Sequence, residues 1–69
     1  MAVLEALERE DGFTDIEAGL ARYICSNAGE VCRMGIAELA RASYTSNATI
    51  VRLCRKVGVK GFRDLRVEL

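Results

Sequence analysis

The chain has no histidine, no proline and no tryptophan, and its aromatic side chains are two Phe and two Tyr among 69 residues. Without histidine, catalysis lacks its commonest general base, and no serine, threonine or cysteine has an evident base beside it. An enzyme is not expected. A zinc site would also need an unusual set of cysteines and carboxylates. The three cysteines, Cys25, Cys32 and Cys54, form no C-x-x-C pair and cannot all be bridged within one chain. No metal or cofactor is expected, and the pattern suits a reducing cytoplasm. No apolar run approaches the roughly 20 residues of a membrane span, and no signal peptide is visible. β-Branched residues are scattered, so no run reads as a strand.

What is present is apolar and helix-forming. The hydrophobic fraction is 51%, too high for a disordered chain, and Ala, Leu, Arg and Glu dominate. One domain of 69 residues lies near the lower size at which a core folds unaided. The expectation is all-α: a compact bundle of five or six short helices.

Net charge is zero, but its distribution is not even. Residues 1–34 hold three Arg against seven Asp or Glu, a net −4; residues 35–69 hold seven Arg or Lys against three acids, a net +4. Local field at a contact surface governs association, so a basic half is compatible with nucleic acid. Two solvated faces that merely balance would give the same sum.

Residues 1–10 read as a helix with Val3, Leu4 and Leu7 on one side, and Asp11-Gly12 breaks it. Thr14-Asp15-Ile16-Glu17 is a capping box, with Phe13 placed as a hydrophobic staple. Ile16, Leu20, Tyr23 and Ile24 then follow the spacing of a buried stripe. Gly19 weakens this helix by about 1 kcal/mol relative to Ala, a cost consistent with a close neighbour. Ser26-Asn27-Ala28-Gly29 ends it, and residues 30–34 read as one further turn. A helix over 36–43 turns Ile36, Leu39 and Ala40 inward. Ser46 caps a helix over 47–57, whose inward stripe is Ile50, Leu53, Cys54 and Val57, and Gly58 stops it. Cys54 on that stripe reads as a buried thiol. Phe62, Leu65 and Leu69 mark a last helix starting near Gly61.

Residues 36–62 carry the functional signal: a short helix, a turn opening on a polar cap, and a second helix with one apolar and one basic face. This is a helix-turn-helix layout. Seen from outside, the 47–57 helix presents Ala48, Val51, Arg52, Arg55 and Lys56, with Asn47 and Thr49 on the flanks. Small residues near the N-terminus allow close approach to bases, and cations follow. Arg52 suits a bidentate guanine contact and Asn47 an adenine; Thr45, Ser46 and the free N–H groups at the helix start suit phosphate oxygens. A solvated cationic helix favoured by its macrodipole is the plainer alternative. Polar tip, small turn and basic face occur together, which favours DNA. The segment Gly58-Val59-Lys60-Gly61 lacks the spacing of a nucleotide-binding loop.

The blocks Phe13-Thr14-x-x-Glu17, Ile36-Ala37-Glu38-Leu39-Ala40, Ser46-x-Ala48-Thr49-Ile50-Val51-Arg52 and Cys54-Arg55-Lys56-x-Gly58-x-Lys60-Gly61-Phe62 together resemble the amino-terminal helix-turn-helix domain of RpiR-type bacterial transcriptional regulators. The resemblance covers residues 4–69. It implies a homeodomain-like helical fold that binds double-stranded DNA as part of a regulator, with a homodimer reading a palindrome. It places Ser46, Thr49 and Arg52 in recognition-helix positions and Lys60 in a loop against the DNA backbone. Arg55, Lys56 and Arg63 join the backbone set. In such regulators a carboxy-terminal sugar-isomerase-type domain binds a phosphorylated sugar; no such domain lies in this sequence, which then reads as the N-terminal fragment of a longer protein.

Two positions depart from the family pattern. Tyr44-Thr45 stands where a turn glycine and an aliphatic residue are common, and a Tyr at positive φ is strained by about 1 kcal/mol or more. Either the turn differs in shape, or Tyr44 lies against DNA, or its ring is partly buried. Asn47 replaces a common acidic residue, removing a charge that would repel phosphate. The competing function is a protein-interaction or dimerisation module that keeps the fold without DNA binding, with the acidic half as its working surface. Val3, Leu4 and Leu7 would form a dimer contact or fill the interior.

Overall fold

Each helix is bounded where the local chemistry stops it. The computed structural model describes residues 3–69. Six helices follow in order: α1 Val3–Arg9, α2 Asp15–Ser26, α3 Ala28–Val31, α4 Ile36–Ala42, α5 Asn47–Lys56 and α6 Phe62–Glu68. Among the described residues there is no strand. The bundle measures 25 × 23 × 21 Å. The all-α expectation holds. The first two residues of the expected 1–10 helix lie outside the described residues.

The α2 start is the capping box in full. Thr14 Oγ1 accepts from Glu17 N (3.2 Å), and Glu17 Oε1 accepts from Thr14 N (2.9 Å). Phe13 is half-buried against the core beside it. The stripe behind the cap differs from the expected one. Ile16 is 62% exposed, and the buried residues are Glu17, Leu20, Ala21 and Ile24. One residue along a helix is 100° of rotation, so a carboxylate occupies the position assigned to an isoleucine. Gly19 has no neighbour within 4 Å of where a Cβ would stand, so close packing does not account for it. Asn27 ends α2, and α3 begins at once with Ala28, two residues earlier than expected.

Every helix supplies the core. Leu7, Leu20, Ile24, Val31, Leu39, Ile50, Leu53, Cys54 and Leu65 are almost wholly removed from water. Burying a side chain of this kind contributes about 1.5–3 kcal/mol, which is how so short a chain offsets its ordering entropy. α5 lies at the centre, packed on α2, α4 and α6. Val3 and Leu7 are in the core, where α1 meets α2 and α6, so they are closed to a partner; Leu4 is half-buried against them. Arg66 ties α6 to the α3–α4 loop by donating to the Met34 carbonyl (2.8 Å) while its guanidinium lies over the Phe62 ring.

The two helices of the helix-turn-helix end in the same motif. At α5, Val59 N donates to Cys54 O (3.0 Å) and Gly58 N to Arg55 O (3.2 Å), with Gly58 at φ +93°. At α4, Thr45 N donates to Ala40 O (2.9 Å) and Tyr44 N to Arg41 O (3.3 Å), with Tyr44 at φ +58°. These are Schellman closures, whose left-handed residue is ordinarily glycine. The usual turn shape is therefore kept with a tyrosine in it. The ring is 95% exposed, which rules out partial burial.

Candidate nucleic-acid interface

The α4–turn–α5 unit projects one edge and one face of α5. Ser46, in extended backbone, caps the helix: its Oγ accepts from Thr49 N (3.1 Å). Ile50, Leu53 and Cys54 face the core with no exposure, which fixes the rotation of α5 about its axis. Asn47, Ala48, Arg52 and Arg55 are thereby exposed and Val51 is half-exposed. The small residues stand at the N-terminal end and the arginines one and two turns further on. Lys60 in the α5–α6 loop and Arg63 in the first turn of α6 are also exposed.

The remaining polar residues of α5 are spent internally. Thr49, expected at the DNA, is only 6% exposed. Its hydroxyl is within 2.9 Å of Ser46 Oγ and accepts from Arg52 Nη2 (3.3 Å). Thr45 is half-buried with its hydroxyl 2.9 Å from Ser43 Oγ, whose own bond runs to Leu39 O (2.7 Å). Lys56 turns back towards α2, where Nζ donates to Glu17 Oε1 (2.6 Å) and to the Gly12 carbonyl (2.9 Å). Two of its three N–H groups hold the fold, and its side chain remains 37% exposed.

Glu17 was legible only as a capping residue. The structure shows a buried carboxylate that also meets Lys56 through Oε1 and Arg52 Nε through Oε2 (3.6 Å). The Lys56 bond and the Thr14 backbone bond hold its carboxyl below the ordinary range, outweighing burial, which acts the other way. No local signal could have paired positions 39 residues apart.

The acids of the first half are partly consumed as well. Glu10 accepts from Arg22 (3.1 and 3.2 Å), and Asp11 lies 3.6 Å from Arg9. Among the described residues, Arg55, Lys60 and Arg63 make no ion pair. These three stand on α5, on the loop after it and on α6, which packs against α5; Arg33, Arg41 and Arg66 likewise make no ion pair among the described residues. Among the described residues, no cluster could hold a metal ion and no helix is long and apolar enough to cross a membrane.

Comparison with known proteins finds the same fold elsewhere. A family model described as a helix-turn-helix domain, rpiR family, matches residues 1–69. An uncharacterised HTH-type transcriptional regulator of Caldanaerobacter subterraneus subsp. tengcongensis is 42% identical over 62 residues, which is 90% of this chain and 22% of that protein. The HTH-type transcriptional regulator HexR of Pseudomonas aeruginosa is 34% identical over 68 residues, 97% of this chain and 24% of its own length. The crystal structure of the N-terminal domain of the regulator YbbH of Bacillus subtilis superposes with a TM-score of 0.89 at 26% identity, covering 99% of this chain and 84% of that one. The chain thus spans about a quarter or less of the length of the curated regulators it matches.

Proposed function

This chain belongs to the helix-turn-helix domains of the rpiR family, and from that premise we propose that it reads double-stranded DNA by placing α5 in the major groove, on behalf of a transcriptional regulator. The observation that carries the proposal is the outer face of α5. Its small N-terminal residues and exposed Asn47, Arg52 and Arg55 are held in fixed rotation by fully buried Ile50, Leu53 and Cys54. Close approach followed by a cationic fork is what base reading requires.

Asn47 and Arg52 are the base readers, Asn47 suited to an adenine and Arg52 to a guanine. Ser46 and Thr45 stand at the open end of the helix, where phosphate oxygens meet N–H groups and hydroxyls. Arg55, Lys60 and Arg63 carry the electrostatic term that orients the duplex. The ring of Tyr44, fully in solvent at the turn, lies along the sugar–phosphate backbone. Two copies would read two half-sites of a palindrome about one helical turn apart.

Selection of duplexes from a randomised pool, followed by titration of single-base variants, tests the assignment. Arg52→Ala should lose about 1–3 kcal/mol on the selected duplex and little on a duplex changed at one base pair. Lys60→Ala should weaken every duplex alike. An equal loss on all sequences for Arg52→Ala would remove it from the base readers.

A further inference from the structure

Resting on the DNA reading above, we propose that Glu17, on a helix outside the helix-turn-helix, is a positioning residue that sets sequence preference by presetting Arg52 and withholding Lys56 from phosphate. The Glu17 side chain is 2% exposed, yet both its oxygens are directed at cations of α5. Oε2 lies 3.6 Å from Arg52 Nε, while Arg52 Nη2 donates to Thr49 Oγ1 at 3.3 Å. Thr49 is itself buried beneath the Ser46 cap. The guanidinium is thus held along one edge, by a hydrogen bond to buried Thr49 and by the charge of buried Glu17 at 3.6 Å, although the side chain as a whole is 61% exposed. No bond to Nη1 is made among the described residues, so that side of the fork is open to a base edge. An arginine oriented before contact loses less freedom on pairing than one free in water.

Lys56 receives the opposite treatment. Its bonds to Glu17 Oε1 and Gly12 O draw the ammonium to the start of α2. Sequence-independent affinity scales with the number of phosphates neutralised, so each lysine held back lowers it. One carboxylate therefore favours the specific contact and reduces the unspecific one. Capping alone does not need the charge, because glutamine serves the same box position. A buried ion pair is also a poor device for stability, since desolvation offsets its attraction. Orientation of the two α5 cations is the role that the charge adds.

Glu17→Gln separates the roles. Its amide oxygen can still accept from Thr14, but its NH2 group opposes Arg52 Nε donor to donor. The experiment measures Kd by anisotropy for a duplex selected by the wild-type chain and for a scrambled duplex of equal length. Glu17→Gln should weaken the selected duplex and leave the scrambled one equal or tighter, lowering their ratio about tenfold. In an Arg52→Ala background the same change should leave the ratio alone. Equal weakening of both duplexes in the wild-type background would make Glu17 merely structural and overturn the proposal. A wild-type chain that prefers no sequence would overturn the DNA reading, and this proposal with it. Should Glu17→Gln not fold, side-chain 15N relaxation on the wild-type chain decides. Arg52 Nε–H as stiff as the α5 backbone supports the grip, and mobility equal to that of Arg55 refutes it.

Discussion

Replacing Tyr44 by glycine should stabilise this chain although it deletes the largest side chain of the turn. Tyr44 sits at φ +58° in the Schellman closure of α4, the same place that Gly58 fills at φ +93° in the closure of α5. Left-handed backbone costs a residue with a Cβ about 1–2 kcal/mol. The ring returns little of this, because it is 95% exposed. Glycine adds freedom to the unfolded chain, which takes back roughly 0.4–1 kcal/mol. The net is a gain of about 0.5–1 kcal/mol, or about 3–6 °C in Tm for a domain of this size. Thermal and urea unfolding followed by circular dichroism, with an unchanged m-value, would measure it. Tyr44→Ala is the control: it removes the ring but keeps the strain, and should stay within about 0.5 kcal/mol of wild type. A lower Tm for Tyr44→Gly would mean that the turn stores no such strain, and a large loss for Tyr44→Ala would mean that the ring packs. If the ring lies along the DNA backbone, both variants also weaken binding to every duplex alike.

The converse change, Gly58→Ala, should lose about 0.5–1 kcal/mol in the same unfolding assay, although no atom stands within 4 Å of the new Cβ, because left-handed strain exceeds what the stiffer unfolded chain returns. Unchanged stability would contradict this. Glu17 has its carboxyl held below the ordinary value near 4.5, chiefly by the Lys56 bond. Its contribution is therefore fully present above that value and is lost as pH falls through the lowered folded value. The urea midpoint of the wild type should fall more steeply into acid than that of Glu17→Gln, and parallel curves would remove Glu17 from the acid transition. Burial raises the Cys54 thiol to about 11 and leaves it no exposure, whereas Cys32 is exposed and Cys25 half-buried. A thiol reagent should therefore label Cys32 first, Cys25 more slowly and Cys54 only in urea; early labelling of Cys54 would show that α5 opens locally.

Periodicity and capping located most of this fold. The stripe Ile50, Leu53 and Cys54, the Ser46 cap and the Gly58 stop are all short-range patterns, and all are found at those residues. The errors lie where residue type and short-range spacing leave more than one outcome open. Whether position 16 or 17 is buried depends on a 100° choice of helix phase, and Lys56 from a distant helix decides it by pairing with Glu17. Thr49 is buried with local bonds to Ser46 and Arg52, and Lys56 bends back to Glu17 and Gly12, placements that residue type alone does not encode. The four residues of α3 are too few to show a period. Tyr44 is the reverse case: its residue type argued against the turn, and the closure bonds around it prevailed.

The central claim is that the basic half of this chain is a DNA surface. Its most direct test is fluorescence anisotropy of a labelled duplex titrated with the chain across rising salt, for wild type, Arg55→Ala and Lys60→Ala. Affinity should fall with salt at a log–log slope of about −0.9 per phosphate contact, shallower by about one contact in each variant. A folded chain that binds no duplex even at low salt would contradict it, leaving α5 as a scaffold for protein contacts and the acidic half as the surface that works.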